Sequence, residues 1–115
     1  MQFLALIVFM LVAFCGLYLV KRRKQGKKIS RWLIGSHGLA GVLGFVILLA
    51  GLVRGYWSDW GWIALGLFAL LLVGAFLIFG KWFKSRRTPF MLIAAHGTFA
   101  LTCIGVLMYS LVTVN

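Results

Sequence analysis

The sequence predicts an all-α fold: an integral membrane bundle of four antiparallel helices, built as a tandem repeat of a two-helix hairpin. Three observations carry this expectation. Apolar residues are gathered into four runs of about 18–26 residues, each long enough to cross a bilayer core as a helix. Charge is confined to short blocks between the runs. Two segments 59 residues apart share a histidine-glycine motif.

The composition excludes a soluble domain. Of 115 residues, 63% are hydrophobic, 11% are charged, and Asp59 is the single acid. An ordinary soluble domain carries about a quarter charged residues. The runs are Phe3–Val20, Trp32–Val53, Trp60–Phe79 and Pro89–Val114. Helices are therefore expected at about 3–20, 32–53, 60–79 and 89–114, forming one domain over 1–115.

The first run, within MQFLALIVFMLVAFCG, lacks the leading basic residue of a signal peptide, and Cys15 follows Phe14 where a lipoprotein cysteine follows a small residue. It reads as an uncleaved helix. Cys15 and Cys103 have no CxxC spacing and read as small packing residues. The connection after the first run, KRRKQGKKISR, carries Lys21, Arg22, Arg23, Lys24, Lys27, Lys28 and Arg31. After the second run, RGYWSD has Arg54 and Asp59; after the third, KWFKSRR has Lys81, Lys84, Arg86 and Arg87. Eleven of the twelve basic residues thus fall on one face, which the positive-inside rule makes cytoplasmic, with both termini outside. A bacterial inner membrane suits this bias. Contact with anionic headgroups accounts for the net charge of +11, so no nucleic-acid partner is expected. Trp32, Trp57, Trp60, Trp62, Trp82, Tyr56 and Phe83 stand at run ends, as an interfacial aromatic belt does.

The repeat appears when the chain is slid by 59 residues. IGSHGLAG (34–41) then lies on IAAHGTFA (93–100), and the two histidines of the chain, His37 and His96, superimpose. Gly38 falls on Gly97, Leu33-Ile34 on Leu92-Ile93, and Lys27-Lys28 on Arg86-Arg87. Ala5-Leu6 falls on Ala64-Leu65, Phe9 on Phe68 and Leu11 on Leu70. The repeats span about 1–59 and 60–115. Each holds an even number of spans, so the pseudo-twofold axis runs along the membrane normal. Both histidines then sit roughly 8–10 Å inward from the basic face, at about 1.5 Å per helical residue.

Positions three and four apart share a helix face. Below His37 that face carries Gly41, Gly44 and Gly51; below His96 it carries Ala100, Cys103 and Leu107. Gly38 and Gly97 thin the backbone beside each ring. Close helix packing explains the small residues but not the histidine at the head of each strip. A planar macrocycle in a slot between the strips explains both, since haem iron accepts two axial imidazoles. Lys27, Lys28, Arg31, Arg86 and Arg87 are near enough to the basic face to meet its propionates.

With these features the chain resembles the membrane-embedded b-type cytochromes, which hold haem b between in-membrane histidines in a bundle of about four helices. The resemblance covers the four-span layout and the two His-Gly sites. It implies one haem b between His37 and His96, with Gly38, Gly41, Gly44, Gly97, Ala100, Lys28, Arg31 and Arg87 around it, and one-electron transfer with a quinone or protein partner. Association into a homo-oligomer or larger complex stays open. The leading alternative is a non-catalytic accessory subunit whose histidines hydrogen-bond to Ser36, Thr98 or a facing backbone carbonyl. Two imidazoles without carboxylate or thiolate make an incomplete zinc shell, and copper with Met91 or Met108 has little support. The runs contain no acid to couple proton transport, although histidine titrates near neutrality. No acid–base pair or triad suits hydrolytic or transferase chemistry.

Overall fold

A computed structural model describes residues 2–26, 31–55, 59–82 and 90–113. They form four helices: α1 (Gln2–Lys24), α2 (Arg31–Arg54), α3 (Asp59–Trp82) and α4 (Phe90–Thr113). The molecule is a rod 46 Å long and 21 Å across in each other direction. All four helices are long and apolar enough to cross a membrane. Their outer faces are apolar too, with Phe3, Leu11, Leu70, Phe76, Leu77 and Val112 exposed. In water such a surface would drive aggregation, whereas lipid solvates it.

The helices run slightly past the apolar stretches. Lys21, Arg22, Arg23 and Lys24 form the last turn of α1, where cations favour the carbonyl-rich end. Charge on long side chains does not stop a helix. Gly26 does: it adopts φ +70°, which a Cβ would resist. The Gly26 N–H donates to the Arg23 carbonyl at 3.1 Å, and the Gln25 N–H to Lys21 at 3.1 Å. Arg22 Nη1 donates to the Tyr18 hydroxyl at 3.3 Å, with the guanidinium 5.9 Å from that ring's centroid. At the opposite kind of terminus, Asp59 opens α3 where the helix dipole favours an acid.

The helices pack in a ring. α1 and α3 each lie against α2 and α4, and among the described residues the diagonal pairs α1–α3 and α2–α4 have no close backbone approach. Side chains bridge the first diagonal. Phe9 of α1 stacks on Phe68 of α3, centroids 3.9 Å apart and planes 7° from parallel. The Phe9 ring also fills the space over Gly44 of α2, where a Cβ would stand 2.9 Å from Cε1. Leu72 lies 3.7 Å from the corresponding point on Gly41.

The core is confined to one portion of the rod. Ala5, Phe9, Leu48, Leu52, Ala64, Phe68, Cys103, Ile104 and Leu107 form a single buried cluster. Ser110 is buried there as well, its hydroxyl donating to the Leu107 carbonyl of its own helix at 2.6 Å. Trp60 and Tyr109 meet edge to face at 5.1 Å. In α1 no described residue after Phe9 is fully buried, and in α3 none after Phe68. In α2 and α4 none before Gly41 and Cys103, respectively, is fully buried. The remaining portion, which contains both histidines, is lined by half-buried side chains.

Candidate histidine site

His37 stands in the second turn of α2 and His96 in the second turn of α4, both half-buried. They occupy the second diagonal of the ring, as Phe9 and Phe68 occupy the first.

The surroundings of His37 are well defined. Its ring rests on Gly16 of α1: a Cβ there would stand 3.1 Å from Cε1, 3.7 Å from Nε2 and 4.0 Å from Nδ1. The ring hydrogen-bonds to the Val12 backbone on the same helix. Val12 precedes Gly16 by four residues, so its carbonyl is the one that the Gly16 N–H caps within α1. A bare Gly16 leaves the carbonyl's second lone pair open to a ring from outside. Nδ1 of His37 is buried and has no hydrogen-bond partner.

The small residues around the pair divide into two groups. Nothing lies within 4 Å of a Cβ built on Gly38 or Gly97, the glycines beside the histidines. Gly38 is exposed, while Gly97 and Ala100 are half-buried. Deeper in the rod, Gly41 and Gly44 receive Leu72 and Phe9. Arg31 opens α2, with its side chain outside the described residues, as are Lys27, Lys28, Arg86 and Arg87. Of the hydroxyls considered for the histidines, Thr98 donates to the Ala94 carbonyl of its own helix at 2.8 Å. Thr102 donates likewise to Thr98 at 3.0 Å. The acceptor that His37 meets is a facing backbone carbonyl.

Other ligand sets have little to draw on among the described residues. No group of three or more His, Cys, Asp or Glu is present there. Met91 is 80% exposed. Cys103 is packed in the core and Cys15 is half-buried.

The metal-ligating side chains at matching positions of this level of the bundle, among the described residues, are the two imidazoles. Both are half-buried, His37 Nδ1 is buried without a hydrogen-bond partner, and Gly38 beside His37 lies on the exposed face. Val12, Gly16, Leu72 and the Phe9–Phe68 contact were not apparent as parts of the site from sequence. Sliding the chain by 59 places Gly16 on Ala75, small on small, a match that by itself names no partner for either residue. Comparison with known proteins gave no relative: no family model, no curated protein and no solved structure matches the chain.

Proposed function

We propose that the chain is an integral membrane b-type cytochrome that holds one haem b between His37 and His96 and exchanges single electrons with a quinone or a redox protein. The observation that carries this reading is that His37 and His96 stand half-buried at matching positions of α2 and α4, on one diagonal of the ring, in the part of the bundle that the core does not seal. A bis-histidine haem would supply reversible one-electron chemistry. The chain's own residues orient the ligands, keep out water and set the local field. His37 is held by Val12 and Gly16 on α1. The Phe9–Phe68 stack closes the interior below the pair. Lys28, Arg31 and Arg87 belong by register to the basic end, suited to the propionates.

A tandem antiparallel hairpin is part of the same reading. Burial follows the 59-residue offset: Ala5 and Ala64, Phe9 and Phe68, Gly44 and Cys103, Leu48 and Leu107, and Gly51 and Ser110 are buried in both members of each pair. Contacts support the antiparallel sense of the first hairpin, since Phe9 meets Gly44 while Gly16, further along α1, meets His37, further back on α2. The positive-inside rule places the basic end in the cytoplasm and both termini outside, in a bacterial inner membrane. Reporter fusions test the orientation. A C-terminal alkaline phosphatase fusion is expected to be active and a C-terminal green fluorescent protein fusion dark; the reverse pattern overturns it.

The spectrum of the detergent-purified protein, oxidised and then reduced with dithionite, tests the haem. A sharpened Soret band and a distinct α band are expected. A featureless visible spectrum after haem-replete expression refutes the reading. The second reading, an accessory subunit of a membrane complex, is favoured by the seat of His37 on Gly16 and Val12, which also serves as a packing contact between α1 and α2. It takes the lead if haem is absent.

A further inference from the structure

We infer that the outer face of α1 at the basic end is a binding site for one anionic phospholipid, whose phosphate is held by Tyr18, Lys21 and Arg22. The site is discrete, beyond the general attraction of basic loops for anionic headgroups, and it stands whether or not the histidines hold haem.

Helical register supplies the surface. Leu11, Phe14, Tyr18, Lys21 and Gln25 follow one another at intervals of three or four, and Arg22 stands four past Tyr18, so all six share one face of α1. Arg22 is half-buried and the other five are exposed. Along this face the chemistry changes in a fixed order: hydrocarbon at Leu11 and Phe14, an aromatic hydroxyl at Tyr18, then the cations Lys21 and Arg22. A phospholipid in the leaflet at the basic end presents a matching order along the membrane normal, with acyl chain, then ester-linked glycerol, then phosphate.

Arg22 marks the depth of the polar contact. A long basic side chain at a membrane interface ordinarily extends toward water. Here Nη1 turns back by one helical turn and donates to the Tyr18 hydroxyl at 3.3 Å, with the guanidinium 5.9 Å from the ring centroid. As acceptor of that bond, the Tyr18 hydroxyl keeps its own O–H for donation. Guanidinium and hydroxyl thus stand side by side where the apolar stretch meets the basic one, and a phosphate at that depth receives charge-assisted hydrogen bonds from the first.

The anion must come from outside the chain. Asp59 is the single acid. It opens α3, shortly past the end of α2. That end of α2 is remote from Arg22, since Phe9 meets Gly44 while Gly16, nearer Arg22, meets His37. No carboxylate side chain of this protein therefore faces Lys21 and Arg22, and for an outward face of a membrane-spanning helix the adjoining source of anions is the lipid.

The test uses the full chain in a neutral detergent, to which phosphatidylglycerol or phosphatidylcholine is added. Native mass spectrometry counts the lipid retained on the protein. One phosphatidylglycerol per chain is expected on the parent, at concentrations where phosphatidylcholine is not retained. Affinity for phosphatidylglycerol is expected to fall about tenfold in Arg22→Gln and about threefold in Tyr18→Phe, the losses that follow removal of a charged and of a neutral hydrogen bond. Arg23→Gln removes an equal charge from the face that carries Gly16 and is expected to bind as the parent does. Equal losses in Arg22→Gln and Arg23→Gln would show diffuse attraction and overturn the site, as would equal retention of phosphatidylcholine. Displacement of the lipid by inorganic phosphate alone would show a soluble-anion site and overturn the lipid assignment. Size-exclusion profile and circular dichroism show that each variant folds; should Arg22→Gln fail to fold, Tyr18→Phe against Arg23→Gln decides by the same count.

Discussion

If the proposed haem is held by His37 and His96, His37→Ala and His96→Ala are each expected to abolish the reduced α band. A haem held by two imidazoles is low-spin and six-coordinate, and removing either ligand leaves five-coordinate iron. The affinity loss exceeds the roughly 10–100-fold that follows loss of an outer partner, since here a direct ligand is lost. Added imidazole enters the space left by the side chain and partly restores the band, because the rest of the site is intact. Both variants are titrated with haem in detergent and followed optically, with and without imidazole. If each keeps the parental spectrum, the ligand assignment is wrong. If loss of one histidine alone matters, the group has another second ligand.

Phe9→Ala lowers the free energy of unfolding by about 3 kcal/mol, at the lower end of the range for deleting a buried aromatic ring. The lower end is expected because lipid solvates apolar groups too, so the transfer part is small and lost packing dominates. Phe9 does two things at once: it stacks on Phe68 at 3.9 Å and fills the face of Gly44. Gly44→Ala tests the second. Its Cβ would stand 2.9 Å from Phe9 Cε1 and 3.1 Å from Cζ, and the ring is held from behind by Phe68. In the parent chain this overpacking costs about 1–3 kcal/mol. In the Phe9→Ala background the clash is gone and the added methyl is neutral or favourable, so the two changes are strongly non-additive. Reversible unfolding in mixed detergent micelles, followed by circular dichroism, measures all three variants. Additive effects would mean that the stack and the glycine face act independently, against the packing described.

Much of the architecture was legible because a bilayer leaves few choices. Four apolar runs separated by charge can only become helices, and four helices form at those places. Their ends were harder to read. Lys21 to Lys24 mark the edge of the apolar run, but a helix ends where its backbone does, and Gly26 sets that point. The histidines stood out as titratable groups in apolar surroundings. Gly16 did not, since its meaning depends on which face of α1 turns toward α2, and the weak periodicity of a helix that is apolar all round does not give that face. The strip of Gly41 and Gly44 shows the same ambiguity. A small residue reads as a flat surface in sequence, and only tertiary structure tells that Leu72 and Phe9 are the groups set against it.

The Phe9–Phe68 stack has a consequence for the membrane potential. Beyond it the interior is closed by Leu48, Leu52 and Leu107, and the Ser110 hydroxyl donates to the Leu107 carbonyl. The buried cluster itself is made of apolar side chains and the Cys103 thiol. A redox centre at His37 and His96 would therefore communicate with one leaflet. Donor and acceptor would both approach from the basic end, and an electron would traverse only a small part of the transmembrane field on its way in or out. Its exchange would then be nearly insensitive to membrane voltage, unlike that of a cytochrome with centres stacked from one side of the bilayer to the other.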